Sequence, residues 1–158
     1  MTGWRIGWSL APSSLNRAIE LIQGQSTTHA TVVAQHATIA ALQTATSELD
    51  AIRLRFQKRR DRMVKRLNDT TLFRCRKPEG AFYAFADCRA LYGLRWNNKA
   101  IENDTEAALW LLEEAHVASV PGSSFGMEGY LRFSYAVQEE RIDAAVDSII
   151  QAVNRQKR

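Results

Sequence analysis

No apolar run in the sequence approaches the ~20 residues that a membrane-spanning helix needs. The first residues carry no basic segment followed by an apolar one, so no secretory leader is read there. Cysteine is scarce: Cys75 and Cys88 stand thirteen positions apart without a partner motif, which excludes a disulfide framework and fits a reducing, cytoplasmic setting. His29, His36 and His116 fall in no metal spacing, and no metal is expected. What is present is ordinary for a soluble globular chain, with 46% hydrophobic and 24% charged residues over 158 positions.

The net charge of +4 is unevenly spread. Eight cations (Arg53, Arg55, Lys58, Arg59, Arg60, Arg62, Lys65 and Arg66) face one acid, Asp61, so this segment carries +7 and the remainder −3. A nucleic-acid helix would interleave base-reading side chains among its cations, whereas the one aromatic, Phe56, falls on the apolar stripe. The run reads as the solvated face of one helix, and no nucleic-acid partner is expected.

Residues 2–10 read as a strand ending at Ala11-Pro12. Leu15, Ala18, Ile19 and Ile22 then recur at helical spacing, with Gly24 as the stop and 25–28 as a loop. A second helix begins near Thr31, its pattern weakens over 44–47, and a third runs from Leu49 to Leu67. Beyond Asn68 the texture shortens to strand-like segments at 73–76, 81–86, 117–120 and 130–135. Between them lies a helix capped by Asp104, and a last helix covers 139–153 with Ile142, Val146 and Ile149 inward. The strands near 81–85, 117–120 and 131–135 are expected to form one sheet under the last two helices. The fold class is α/β, with an α+β C-terminal part.

Four segments then occur in order: Met1-Thr2-Gly3-Trp4-Arg5-Ile6-Gly7-Trp8; Gln25-Ser26-Thr27-Thr28; Pro78-Glu79-Gly80-Ala81-Phe82-Tyr83; and Val120-Pro121-Gly122-Ser123-Ser124-Phe125-Gly126 leading to Tyr130-Leu131-Arg132-Phe133-Ser134-Tyr135-Ala136. Together they resemble class I and II pyridoxal-phosphate aminotransferases of the aspartate aminotransferase type, over nearly the whole chain. The resemblance implies the C-terminal part of the fold type I architecture: 1–30 from the large domain, 31–68 interdomain helices, and 69–158 a small domain whose sheet is covered by helices. It also implies amino-group exchange between an α-amino acid and a 2-oxo acid, with aspartate or aromatic substrates favoured, by a cytoplasmic homodimer using pyridoxal 5'-phosphate.

By the same resemblance Arg5 binds the cofactor phosphate, with Gly3 and Gly7 allowing close backbone approach. An arginine fork suits a phosphate dianion. Arg132, a charge within an apolar strand, binds the substrate α-carboxylate. Phe82 lines the substrate pocket or is an ordinary core ring. Residues 121–126 shape the backbone beside the site. The segment 26–30 matches a loop that reaches toward the neighbouring subunit in dimeric relatives, with His29 and Ala30 where those commonly carry Asn or Ser and then Pro.

In the family pattern that the resemblance implies, the lysine that carries the cofactor lies four residues before the methionine matched by Met1, so no catalytic residue is assigned here. The expectation is a piece of a longer enzyme, or a start placed at an internal methionine, inactive alone. A same-fold C–S lyase, the effector domain of a regulator, and a non-catalytic interaction module are the alternatives.

Overall fold

The computed structural model describes residues 1–44 and 47–156, which divide into two compact units, 1–48 and 49–158. The weakened helical pattern at 44–47 falls partly on 45 and 46, outside the described residues.

In the first unit, α1 (Ser13–Ser26) and α2 (Val32–Gln43) follow a single 3-10 turn, Thr2–Trp4. The strand expected over 2–10 does not form. A strand requires a partner for its alternating N–H and C=O groups, and none pairs with this segment among the described residues. Trp4 N–H instead bonds Met1 O at 3.1 Å, and Arg5 at φ 50° breaks any extended run.

Gly24 does not stop α1. An interior glycine only costs a helix about 1 kcal/mol, and the chain closes instead at Thr27 and Thr28, both of whose amides return to Gln23 O. Thr31 Oγ1 accepts from Ala34 N–H at 3.3 Å, the N-cap that starts α2 near the expected place.

Ala34 is the single buried residue among those whose burial is described in this unit. Trp8 is 78% and Leu10 92% exposed, and the stripe of Leu15, Ile19 and Ile22 also faces outward. Helices of this length draw their stability from a buried face. Amides of α1 and α2 are therefore expected to exchange with deuterium far faster than those of the second unit's central strands. Equal protection in a residue-resolved exchange experiment would refute this.

The second unit is built on a four-stranded antiparallel sheet. Its strands are β1 (Arg74–Cys75), β2 (Tyr83–Asp87), β5 (Val120–Pro121) and β6 (Tyr130–Ser134), in the order β1-β2-β6-β5. Between β2 and β5 come a small hairpin of β3 (Arg95–Trp96) and β4 (Lys99–Ala100), and then α4 (Asp104–Ala115). The hairpin turns on Asn97 and Asn98 at φ 50° and 64°, the left-handed pair that a two-residue turn demands and asparagine tolerates.

Side-chain alternation divides the sheet. Ala84, Ala86, Leu131 and Phe133 point into a core shared with Ala107, Trp110 and Leu111 of α4, and with Ile142, Val146 and Ile149 of α5 (Glu139–Gln156). Met63 and Leu67 of α3 (Ser47–Asn68) complete it. The expected sheet under two helices is thus present, although β5 is shorter than 117–120 suggested and extends to Pro121. Tyr83, Phe85, Asp87, Tyr130 and Arg132 occupy the opposite face, half-buried.

At the outer edge of β1, Asn68 Oδ1 accepts from Cys75 N–H and its Nδ2 donates to Cys75 O, both at 2.8 Å. The N-cap of α4 is Asn103, which accepts from Glu106 N–H at 2.9 Å, while Glu106 Oε2 accepts from Glu102 N–H at 2.8 Å. Asp104, expected to be the cap, sits one residue inside the helix and is committed elsewhere.

Candidate functional site

The β2–β6 register places Phe85 opposite Arg132, with Tyr83 opposite Ser134 and Asp87 opposite Tyr130. Arg132 therefore emerges on the face that the helices leave open. Its Cζ lies 4.2 Å from the ring centroid of Tyr83 and 4.4 Å from that of Phe125, and Phe85 stacks on Tyr130 at 5.2 Å. Aromatic faces attract a cation through their quadrupoles, yet leave the in-plane N–H fork without acceptors. Among the described residues Arg132 has neither a carboxylate partner nor a side-chain hydrogen bond. A guanidinium held this way keeps a planar donor fork of the kind that can pair bidentately with a carboxylate.

Phe82 stands just before β2. Its ring lies 4.3 Å from Tyr83 and 6.5 Å from Phe56 of α3, so Phe82, Tyr83 and Arg132 form one contiguous row. It packs against the core while remaining half-exposed. The residue before it, Ala81, holds a φ of 60° that a side chain disfavours. Tyr135 fixes that turn: its hydroxyl donates to Ala81 O at 3.0 Å and its backbone N–H to Phe82 O at 2.9 Å. Burial raises the Tyr135 hydroxyl above its ordinary range.

The loop between β5 and β6 carries Phe125. Gly122 begins its single 3-10 turn, and a Cβ there would meet Met127 O and lie 2.8 Å from the Cβ of Tyr130, so no larger residue fits. Gly126 closes the turn at φ 75°. Tyr83 and Phe125, the rings that flank Arg132, were not singled out in the sequence. The period-2 pattern Tyr-Ala-Phe-Ala-Asp was the signal for the first, while the second depends on how a loop folds back.

Arg5 lies in the first unit, exposed and without a carboxylate partner among the described residues. Gly3 and Gly7 have nothing within 4 Å of an added Cβ, so the expected close approach is not made within the described residues. His29 Nδ1 is 2.8 Å from Ala30 O. A carbonyl only accepts, so Nδ1 carries the proton.

The basic run is not a free positive face. Six of its cations make ion pairs: Arg53 with Asp50, Arg60 with Asp61, Lys65 with Asp69, Lys58 with Glu139, Arg62 with Glu139 and Asp143, and Arg66 with Asp143 and Asp147. The last three arise because α5 brings its acids alongside α3. Arg62 holds the Asp143 carboxyl below its usual range, as Arg60 does for Asp61 and Arg89 for Asp87.

A carboxyl depressed in the folded state adds stability that is fully present above its unfolded value, about 3.9, and is lost as pH falls through the folded value. The urea midpoint is therefore expected to stay level from neutral pH to about 5 and to fall below about 4. Asp143→Asn should flatten part of that acid slope, and an unchanged slope would refute the role given to Asp143.

An antiparallel sheet with helices on one face and a ring-flanked arginine on the other is consistent with the fold type I transferase class. Residues 1–149 match the aminotransferase class I and II family, and the chain belongs to it. It is 41% identical over 155 residues to a probable aspartate/prephenate aminotransferase of Rickettsia prowazekii, covering 98% of this chain and 39% of that protein. The crystal structure of the aspartate aminotransferase from Rhizobium meliloti superposes with a TM-score of 0.85 at 40% identity, over 98% of this chain and 39% of that one. An aromatic aminotransferase from Pyrococcus horikoshii gives 0.82 at 33% identity, over 99% and 40% respectively. The chain thus spans about two fifths of the length of the relatives it matches.

Proposed function

We propose that this chain is the carboxylate-recognising portion of an aminotransferase that moves an amino group between an α-amino acid and a 2-oxo acid. The observation that carries this reading is Arg132, flanked by Tyr83 and Phe125 with its fork unpaired among the described residues. A bidentate pair between Arg132 and the α-carboxylate fixes the α-carbon in one orientation, which lowers the entropic part of the barrier. Phe82 and Tyr83 form the apolar wall beside it and limit water there.

The residues present fit pyridoxal 5'-phosphate in one respect only. Arg5 is an unpaired, exposed fork suited to the phosphate, whereas the described lysines do not suit covalent attachment: Lys58, Lys65 and Lys77 are in ion pairs and Lys99 lies on the β3–β4 hairpin. When bound, the cofactor supplies the electron sink. The names of the relatives favour an aspartate or aromatic substrate. Family membership supports a homodimer, and two buried free thiols suit a cytoplasmic setting.

The test splices residues 1–158 onto the complementary N-terminal part of the Rhizobium meliloti enzyme. Amino transfer from aspartate or an aromatic amino acid to 2-oxoglutarate is the expected result. A folded, cofactor-loaded splice that releases sulfide from cysteine and transfers no amino group would identify a lyase instead.

A further inference from the structure

Asp104 is the one charged residue in the core of the second unit, 1% exposed, and no cation pairs with it among the described residues. An uncompensated carboxylate in such a place costs several kcal/mol unless its hydrogen bonds offset the loss of water. The contact it makes is specific. Asp104 Oδ2 accepts the backbone N–H of Ser123 at 2.7 Å, nineteen residues away. Ser123 is the second residue of the 3-10 turn that ends in Phe125, and Phe125 is one of the two rings against Arg132. Asn103 already caps the helix, so capping does not explain Asp104.

Nearby side chains register the same charge. Burial first, and the Asp104 carboxylate next, push the Cys88 thiol up to about 12. The Tyr92 hydroxyl is also pushed up to about 12 by burial, with Cys88 and Asp104 adding to it. The carboxylate itself is 1% exposed, and a hydrogen bond made out of water is electrostatically strong.

We propose that Asp104 is a positioning residue for the carboxylate site: it anchors the Ser123 backbone, and through that turn holds Phe125 against the Arg132 guanidinium. This rests on the reading of Arg132 given above. The turn closes on itself through Gly126 N–H to Ser123 O and Met127 N–H to Gly122 O, both at 3.0 Å, and the Asp104 contact is the side-chain bond that ties it to α4. Phe125, half of whose surface is exposed, has Phe85 at 6.4 Å besides the arginine.

The test begins with the whole chain and no substrate. In isotope-labelled protein the Arg132 Hδ and Hε resonances are expected upfield of free arginine, shifted by both rings. Asp104→Ala should move them toward the value left by Tyr83 alone, with the core methyls of Leu131 and Ile149 unmoved. Asp104→Asn retains an oxygen that accepts from Ser123 N–H and should restore the native shift. Unchanged Arg132 resonances in Asp104→Ala would overturn the proposal. Should that variant not fold, replacement of the Ser123 amide by an ester, which removes the donor to Asp104, decides by the same reading.

In the spliced enzyme Asp104→Ala should raise KM for the amino acid about 2- to 30-fold, the span of one cation–π contact, with kcat little changed and recovery in Asp104→Asn. If Arg132→Ala itself leaves KM unmoved while the ring shifts respond to Asp104, the carboxylate reading fails and the positioning role stands.

Discussion

Arg132→Ala in the spliced enzyme is expected to lower kcat/KM for the amino acid by about 30- to 5,000-fold. That corresponds to the ~2–5 kcal/mol lost when one partner of a buried, hydrogen-bonded charge pair is removed. The effect is large because the alternative partner is missing: among the described residues no protein carboxylate competes for Arg132, so its stacking on Tyr83 and Phe125 holds a donor fork ready for a ligand. Arg132→Lys retains the charge but offers no fork and cannot stack as a plane, so it should recover only part of the loss. Steady-state kinetics across both variants, with urea unfolding to show equal stability, checks this. A fall of less than threefold in the alanine variant would remove Arg132 from substrate binding.

The 158-residue chain mixed with pyridoxal phosphate, an amino acid and a 2-oxo acid should give no turnover above that of free cofactor. Transamination needs an amine positioned to attach the cofactor and to move the α-proton. Lys77 is 2.9 Å from Asp61, Lys58 3.4 Å from Glu139 and Lys65 2.5 Å from Asp69, all on or beside the outer surface of α3. Lys77 lines a cavity with Tyr83, Phe85 and Tyr130, but its ammonium is held by Asp61, and Lys157 lies outside the described residues. Adding the N-terminal part of a relative in trans should restore activity if the two pieces associate. Turnover by the chain alone would show that another group can supply the amine.

Much of the second unit was legible because its signals are local. The alternation in Tyr-Ala-Phe-Ala-Asp and the apolar flanks of Arg132 fix two central strands and the side from which the charge emerges. What escaped the sequence depends on distant partners. Residues 2–10 have the pattern of a strand, but pairing is a property of two segments, and none of the described residues pairs with them. Three cations of α3, Lys58, Arg62 and Arg66, meet Glu139, Asp143 and Asp147, acids that lie more than seventy positions later, so those pairs are invisible from the helix alone. Asp104 next to Asn103 offered two candidate caps, and only the folded loop shows why the second is needed elsewhere.

The Asn68 amide that brackets Cys75 also bears on how copies of the chain meet. By answering both outward backbone groups of β1 it behaves as one further rung of the sheet, borrowed from a helix end. At the far edge, Pro121 has no N–H to offer. Neither border is an easy template for strand addition, so self-association of this unit by growth of its sheet is disfavoured, and any assembly is left to its helices and loops.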